Sequence, residues 1–263
     1  MRDAPILRFP ALTSINLEDW VSSLTRAAAE EQIHGLGSNP ATRRRCRFGC
    51  NADENAYYVT SACPVPEFTT RHDEAVHYIL REILVSTRAP EHILSQLRFG
   101  KASLVSEHTW GERRVKIRAG VKVITDPELY HNRPDILVCL SNPTEVYVLE
   151  VAVSHLQNIR LQEEIKKVRY GKNSTIHVTH QNYKDVPRSY NIREAVGKIY
   201  KGPVKFGVQI FGSLGELLET EASKEFVRYL QQLGVRDTKR LLYKCCTSIC
   251  KATSKIIVKR LNV

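Results

Sequence analysis

The amino-acid sequence predicts an α/β fold. Apolar runs of strand length, such as Asp135–Leu140 and Val146–Val153, recur in the second half of the chain. Segments with apolar residues at helical spacing lie between such runs. The order of strand hairpin, helix, strand, strand and helix over residues 111–235 indicates an α/β domain there.

The composition is that of a basic globular protein. Of the 263 residues, 39 are Lys or Arg and 28 are Asp or Glu, so the formal charge is +11. This excess favours polyanionic partners, either nucleic acid or an anionic membrane surface, although a basic protein without nucleic-acid affinity has the same composition. No run approaches the ~20 apolar residues of a transmembrane helix. The N-terminus lacks the apolar core and cleavage site of a signal peptide, so we expect an intracellular protein with no membrane partner.

Residues 1–45 are expected to form a helical leader or linker, with one helix from Leu17 to Ile33. A Gly/Ser/Asn/Pro break and the basic cluster Arg43–Arg45 follow this helix. The cluster is interpreted as a solvated basic loop, and a nuclear import signal is the alternative. A helix from Asp73 to Val85 is predicted next, and residues 78–110 are expected to be a linking helix.

Three cysteines lie in residues 46–77, a segment expected to be a small zinc-knuckle-like unit. Cys46, Cys50 and Cys63 form the pattern C-x3-C-x12-C. Zinc takes four Cys or His ligands in a tetrahedron and can stabilise a segment that is too small to have a core. By spacing, His72 is the expected fourth ligand, with His77 as the alternative. Without a metal, the three cysteines would be free core thiols.

The elements of the main domain are predicted from periodicity and from turn residues. The strands are Val115–Ile124, Asp135–Leu140, Val146–Val153, Ser174–Thr179 and Lys205–Phe211. The helices are His155–Tyr170, Glu216–Leu233 and, within a basic tail at 236–263, Thr238–Leu261. The remaining cysteines fall in apolar segments and are expected to pack as small hydrophobic side chains: Cys139, Cys245, Cys246 and Cys250.

Two acidic residues in the predicted hairpin indicate a catalytic metal site. If Ser141–Thr144 form a four-residue loop, Leu140 faces Glu145, and Asp135 then lies opposite Glu150. Facing carboxylates in an apolar strand pair repel, so they need a cation or a shared proton. A divalent metal would serve, and carboxylate-bound metal beside a phosphodiester suggests a nuclease. A structural ion pair with Arg133 or Arg118 is the alternative.

The helix after the hairpin carries the next candidate residues. Gln162, Glu163, Lys166, Arg169 and Tyr170 share one helical face by their spacing. We expect this face to point back at the strand ends. A lysine above two carboxylates can hold a metal-bound water or stabilise negative charge on a phosphate.

The acidic pair resembles the PD-(D/E)xK restriction-like nucleases, with Pro134-Asp135 as the "PD" and Glu150 as the second acid. The usual lysine position of that family, two residues after Glu150, is Ala152 here. One branch carries its lysine on the following helix, namely the C-terminal endonuclease of site-specific non-LTR retrotransposon polyproteins that insert into ribosomal DNA. Its pattern of [RK]PD, an acid and K-x3-Y is similar to Arg133–Asp135, Glu150 and Lys166-x3-Tyr170.

The resemblance covers roughly residues 35–263, because that branch also has a zinc knuckle and an RHD-containing helix before the nuclease, as in Arg71-His72-Asp73. In the family the knuckle histidine lies between the second and third cysteines, where this chain has Tyr58. The resemblance implies a restriction-endonuclease-like mixed sheet flanked by helices. It also implies a Mg²⁺- or Mn²⁺-dependent DNA endonuclease that nicks target DNA to prime reverse transcription.

In such an enzyme Asp135 and Glu150 would hold the metal, Lys166 would assist the chemistry, and Arg169 and Tyr170 would contact the phosphate or the strand backbone. Double-stranded DNA is the expected partner, with element RNA as a further possibility, and the nucleus is the expected compartment. No YxDD-like polymerase motif is present in the sequence, so the reverse transcriptase of the element is expected elsewhere. The chain is then a fragment of an element or a stand-alone descendant. Two alternatives remain, a catalytically inactive, zinc-stapled nucleic-acid-binding module and a purely structural α/β protein.

Overall fold

The structure is a computed structural model. It describes residues 6–7, 45–46, 49–52, 58, 63, 66–126, 129, 131–171 and 192–261. The predicted helix Leu17–Ile33 and the predicted strand Ser174–Thr179 lie outside these residues. Within the expected leader, Ile6–Leu7 forms a short strand.

The described residues form a seven-stranded mixed sheet in the order β1-β7-β6-β5-β4-β3-β2. All neighbours in this sheet are antiparallel except β5 and β6, which are parallel. The strands are β1 Ile6–Leu7, β2 Leu104–Trp110, β3 Arg113–Ala119, β4 Ile136–Leu140, β5 Glu145–Ser154, β6 Val204–Gly212 and β7 Leu217–Leu218. The predicted mixed α/β fold is therefore confirmed.

Helices cover both faces of this sheet. They are α1 Pro66–Ser86, α2 Glu91–Leu94, α3 Ile159–Lys166, α4 Ile192–Tyr200, α5 Glu221–Gln232 and α6 Thr238–Leu261. A 3₁₀ turn, Leu156–Asn158, precedes α3, and a π-helical turn, Lys167–Gly171, follows it. One apolar core joins the sheet to α1, α5 and α6, and a second core joins it to α3 and α4. None of the helices in the described part of the chain has the length and apolar composition needed to cross a membrane.

The β4–β5 hairpin has the predicted register. Leu140 pairs with Glu145, and Ile136 pairs with Leu149. Every residue of β4 is buried, because helices pack on both faces of the sheet at this strand. Asp135 directly precedes β4, and Glu150 lies in β5. The register of the hairpin therefore determines where the two acidic side chains lie.

Several elements differ from the sequence-based prediction, among them the strand expected at Val115–Ile124, which is Arg113–Ala119. Leu104–Trp110 is a strand, although residues 78–110 were expected to be a linking helix. Its inward positions include Ser106 and His108, whereas Val105 is exposed, so its hydrophobic pattern does not reveal a strand. Helix α1 begins at Pro66 and runs across the boundary expected at residue 77, and α4 was not predicted.

The last two helices follow the sequence in part, because Leu217–Leu218 forms strand β7 inside the predicted helix Glu216–Leu233 and the helix itself is Glu221–Gln232. Helix α5 begins after Thr220, whose side chain forms a reciprocal capping box with Ser223. It ends before Gly234, whose φ of +87° suits a glycine after a helix. Helix α6 has the predicted bounds and packs along α1. The cysteines expected in packed positions are all buried: Cys139, Cys245, Cys246 and Cys250.

Candidate active site and candidate metal cluster

Asp135 and Glu150 meet at the end of the hairpin. The backbone N–H of Asp135 donates to Oε1 of Glu150 over 3.1 Å. The backbone N–H of Val151 donates to Oδ2 of Asp135 over 2.8 Å. Each carboxylate is thus held by the strand that carries the other one. Glu150 is fully buried, and such a carboxylate requires compensation.

Lys166 supplies a cation between the two carboxylates. Its Nζ lies 2.7 Å from Oε2 of Glu150 and 3.2 Å from Oδ2 of Asp135. The residue ends α3, which packs across β5 and β6 and thereby brings the ammonium group over the strand ends. The structure therefore brings together the two acids and the lysine that the sequence singled out.

Arg133 and Arg118, the arginines considered for a structural ion pair with the acidic residues, instead donate to backbone oxygens. Arg133 donates from Nε to the carbonyl of Gly120, and Arg118 donates from Nη2 to the carbonyl of Lys122 over 3.1 Å. Lys166, rather than either arginine, pairs with the two carboxylates.

His72 lies at the acidic pair, which corrects the prediction that it completes the cysteine cluster. Its Nε2 is 3.4 Å from Oδ1 of Asp135 and 3.2 Å from the carbonyl oxygen of Val151. Its Nδ1 is 3.0 Å from Oδ1 of Asp73. The physical reason is that α1 begins three residues after Cys63. The helix then carries His72 across to β5, so proximity to Cys63 in sequence does not become proximity in space.

Burial and the neighbouring charges together set the pKa values of this group. Burial disfavours the ionised form of Asp135, but Lys166 and His72 outweigh it and hold its pKa below the ordinary value. Burial and the charge of Asp135 raise the pKa of Glu150 to about 8, against the opposing effect of Lys166. Burial would lower the pKa of His72, but Asp135 raises it to about 10. At neutral pH the group therefore holds two cations, one carboxylate and one carboxyl group that is mostly protonated.

Tyr170 and Arg169 lie in the π-helical turn that follows Lys166. The ring centroid of Tyr170 is 5.2 Å from Nζ of Lys166 and 5.7 Å from the ring of His131. Burial, followed by the charge of Glu150, raises the pKa of Tyr170, while Lys166 and Arg169 act in the opposite direction. Tyr170 thus forms a wall of the site beside the lysine, and Arg169 is close enough to influence its hydroxyl group.

The cysteines Cys46, Cys50 and Cys63 form a second cluster. Their sulfur atoms lie within 4.8 Å of one another. The Sγ of Cys63 is 3.9 Å from that of Cys46 and 3.7 Å from that of Cys50. Such a group of soft donors can hold a metal ion.

The backbone around these cysteines is folded tightly. The N–H of Gly49 donates to the carbonyl of Cys46 over 2.9 Å, and the N–H of Cys46 donates to the carbonyl of Ala52 over 3.0 Å. Gly49 has a φ of +79°, a conformation that favours glycine. Tyr58 also belongs to this cluster, because its hydroxyl group hydrogen-bonds to the sulfurs of all three cysteines.

Sequence reasoning missed two residues of these sites. His72 belongs to the acidic group, and the signal that could have placed it there is Pro66 followed by Glu67, a pattern typical of the start of a helix. Tyr58 joins the cysteines, and its only signal is its place between Cys50 and Cys63, where the retrotransposon family has a histidine.

A scan of protein-family models and a search of curated proteins found no match for this chain.

Proposed function

We propose that this protein is a metal-dependent DNA endonuclease in which Asp135, Glu150 and Lys166 form the active centre. One observation carries the proposal, namely the convergence of two strand-end carboxylates and a lysine ammonium within 3.2 Å. The buried glutamate and its strongly shifted pKa support a functional role, since such groups concentrate in active sites. The sequence resemblance to the endonuclease of non-LTR retrotransposons supports the same chemistry.

The donor set fits a hard divalent cation. Asp135 and Glu150 offer carboxylate oxygens. The carbonyl oxygen of Val151 lies 3.2 Å from Nε2 of His72, and the same nitrogen lies 3.4 Å from Oδ1 of Asp135. Oxygen donors of this kind suit Mg²⁺ or Mn²⁺. When bound, the ion would polarise a phosphoryl oxygen and lower the pKa of a coordinated water.

The residues of this chain have distinct roles in the proposed hydrolysis of a phosphodiester. Asp135 and Glu150 would hold the cation from neighbouring positions of the hairpin. The ammonium group of Lys166 stabilises the negative charge that develops on the phosphate, or holds the attacking water. Tyr170 packs against this lysine and limits its positions. Arg169 and Tyr170 contact the phosphate or the adjacent strand backbone.

Helix α6 offers a surface for the DNA backbone. The sequence of the helix contains Lys and Arg but no Asp or Glu. Lys251 and Lys255 lie one turn apart and are exposed. Between them in sequence, Thr253 accepts a hydrogen bond from Arg71, the neighbour of His72, so this part of α6 packs against the turn of α1 that carries His72. Cations on such a surface would neutralise phosphates and release counterions.

The cysteine cluster is proposed to bind zinc, as in the knuckle that precedes the nuclease of the retrotransposon family. Zinc would stabilise a segment that has few apolar residues of its own. In this proposal the protein acts in the nucleus, nicks double-stranded target DNA and thereby supplies a 3′ end for reverse transcription. Element RNA is a second possible ligand, and the reverse transcriptase would be a separate part of the same element.

The cationic face of α6 also favours a second candidate, a catalytically inactive nucleic-acid-binding module. Cleavage by matched variants separates the two candidates. Lys166→Ala should slow Mg²⁺-dependent nicking by about 10²-fold or more, while DNA affinity stays within a factor of about two. Lys167→Ala is the control, because Lys167 pairs with Glu163 and Glu164 and not with the acidic pair. Equal nicking by Lys166→Ala and Lys167→Ala would exclude the proposed role, and DNA binding without any cleavage would favour the binding module.

A further inference from the structure

A short turn between α2 and β2 presents an aromatic ring between two cations. Arg98 and Lys101 form an antiparallel bridge, and the N–H of Lys101 donates to the carbonyl oxygen of Arg98 over 3.1 Å. Phe99 and Gly100 form the tip, where the φ of +72° at Gly100 suits a residue without a side chain. Arg98, Phe99 and Lys101 are all exposed. The one large apolar side chain of this turn therefore faces the solvent.

Two aromatic side chains of α1 hold the ring of Phe99. Its centroid lies 5.3 Å from that of His77 and 5.7 Å from that of Tyr78, and both pairs have edge-to-face geometry. These contacts leave 57% of Phe99 exposed. A ring that is already held in one orientation loses little conformational entropy when a planar group packs on its open surface.

The two cations of the turn have no acidic partner in the described part of the chain. Neither Arg98 nor Lys101 forms an ion pair with a described residue. Exposed cations elsewhere on the sheet are paired, since Arg114 and Lys116 lie 3.2 and 3.3 Å from Glu107. The positive charge of the turn is therefore available to an anionic ligand.

Backbone contacts connect this turn to the acidic pair. Ala102 follows the turn, and a Cβ added to Gly120 would lie 2.1 Å from the carbonyl oxygen of Ala102, so the two backbones are in close contact. The N–H of Gly120 in turn donates to the carbonyl oxygen of Asp135 over 3.0 Å. The segment that carries Lys101 is thus one strand connection away from Asp135.

A second set of contacts leads from the turn to the same carboxylate. A Cβ added to Gly100 would lie 3.6 Å from Cγ2 of Thr70, which is ordinary van der Waals contact. Thr70 precedes His72 by two residues on α1, and Nε2 of His72 lies 3.4 Å from Oδ1 of Asp135. A DNA strand at the acidic pair therefore has the turn as a near neighbour.

This combination of groups suits an unpaired nucleotide. Cations neutralise the phosphates of the backbone, and an exposed aromatic ring can stack on any base, because every base has a π-face. A base inside a duplex is already stacked on both faces, whereas an unpaired base can offer one face to the ring of Phe99.

We propose that the turn Arg98–Lys101 binds an unpaired stretch of the substrate DNA beside the active centre. Phe99 stacks on one base, and Arg98 and Lys101 contact the neighbouring phosphates. The inference rests on the proposed function for the identity of the ligand, a DNA strand. It does not require cleavage, so binding at the turn and nicking at the acidic pair can be tested separately.

The test measures the binding of full-length protein to a fluorescently labelled oligonucleotide of mixed sequence by anisotropy, without added divalent metal. The same sequence is supplied as single-stranded DNA, as duplex DNA and as single-stranded RNA. The variants are Phe99→Ala, Phe99→Trp and the double variant Arg98→Ala with Lys101→Ala. Val85→Ala and Val85→Trp are the matched controls, because Val85 is an exposed apolar residue in the last turn of α1, about 22 Å from Thr70 along the helix. Circular dichroism verifies that each variant folds.

We expect Phe99→Ala to weaken binding to single-stranded DNA by about tenfold or more, the effect of losing one stacked base. Its affinity for duplex DNA should equal that of Val85→Ala. The double variant should reduce the slope of log affinity for single-stranded DNA against log salt by about 1.4, because two phosphate contacts are lost.

Phe99→Trp keeps the test decisive if Phe99→Ala does not fold. It should retain the affinity of the wild type for single-stranded DNA, because tryptophan also stacks on a base. The fluorescence that the new tryptophan adds should be quenched when this DNA binds, whereas the fluorescence added by Val85→Trp should not change.

Several results would overturn the inference. They include a wild type that does not bind single-stranded DNA, equal affinities of Phe99→Ala and Val85→Ala for it, and unquenched Phe99→Trp at saturating DNA. An equal loss of duplex affinity in Phe99→Ala would exclude stacking on an unpaired base, and a higher, Phe99-dependent affinity for RNA would exclude DNA as the preferred ligand. Because these measurements contain no Mg²⁺, a wild type that binds through the turn but does not nick would contradict the nuclease proposal alone.

Discussion

Replacement of Lys166 by alanine should destabilise the protein in a way that depends on pH and on divalent metal. The variant lacks the ammonium group that lies 2.7 Å from Glu150 and 3.2 Å from Asp135. Removing one partner of a buried ion pair costs about 3–5 kcal/mol of unfolding free energy. Two features reduce this cost near neutral pH, because Glu150 can keep its proton and Asp135 retains His72 at 3.4 Å. We expect a loss of about 2–3 kcal/mol at pH 7.

The loss should grow as the pH rises. In the wild type, the pKa of Glu150 is raised to about 8 in the folded state, so folding favours the protonated form and stability falls as the pH rises from the ordinary carboxyl pKa to about 8. Without Lys166 the folded-state pKa is higher still, so the variant continues to lose stability above pH 8. At about pH 9 the difference from the wild type should reach the full 3–5 kcal/mol of a broken buried pair.

Urea unfolding followed by circular dichroism, with EDTA present, measures both differences. Lys167→Ala is the control, since its partly exposed ion pairs should contribute no more than about 1 kcal/mol at either pH. Addition of Mn²⁺ to the Lys166→Ala protein should restore about 2.7 kcal/mol at a free metal concentration of about 100 times Kd. Equal stability of the two variants at both pH values, without a metal effect, would refute the proposed electrostatic coupling.

Three further predictions concern metal binding, DNA binding and backbone conformation. The affinity for Mn²⁺ should rise with pH and level off above about pH 8, because Glu150 must lose its proton before it binds the metal; isothermal titration across this range would contradict the idea if affinity were constant. Lys251→Ala together with Lys255→Ala should reduce the slope of log affinity for DNA against log salt by up to about 1.8, and an unchanged slope would exclude this face of α6 from the interface. Gly120→Ala should cost about 2–5 kcal/mol of unfolding free energy, because its φ is +57° and the added Cβ would lie 2.1 Å from the carbonyl oxygen of Ala102. Gly111→Ala, at a φ of +61° with open space around it, should cost only about 1–2 kcal/mol, and equal losses in urea unfolding would refute the steric argument.

The sequence was informative about the acidic pair because local rules determine that geometry. The short loop Ser141–Thr144 leaves one simple register, and side chains alternate along a strand, so Asp135 and Glu150 had to meet if the hairpin formed. The position of Lys166 follows from helical spacing once α3 packs over the strand ends. Both inferences needed only neighbouring elements.

The sequence was less informative where a residue is placed by distant packing. His72 was assigned by its spacing from Cys63, but α1 packs along α6 and against β5, and this packing directs the side chain to Asp135. Strand β2 has buried Ser106 and His108 and exposed Val105, so its apolar residues do not mark its inward face. His108 is accommodated because its Nε2 lies 3.0 Å from the hydroxyl oxygen of Thr87, a partner that periodicity cannot reveal.

The central claim is that Asp135 and Glu150 form a metal-dependent nuclease site, and a plasmid-nicking assay tests it most directly. Supercoiled plasmid is incubated with the wild type and with Asp135→Asn, each with Mg²⁺ and with EDTA. The substitution keeps the shape of the side chain and removes its charge. We predict that the wild type nicks the plasmid only with Mg²⁺ and that the variant does not nick it. Nicking by Asp135→Asn at the wild-type rate, or no nicking by a wild-type protein that binds the plasmid, would contradict the claim.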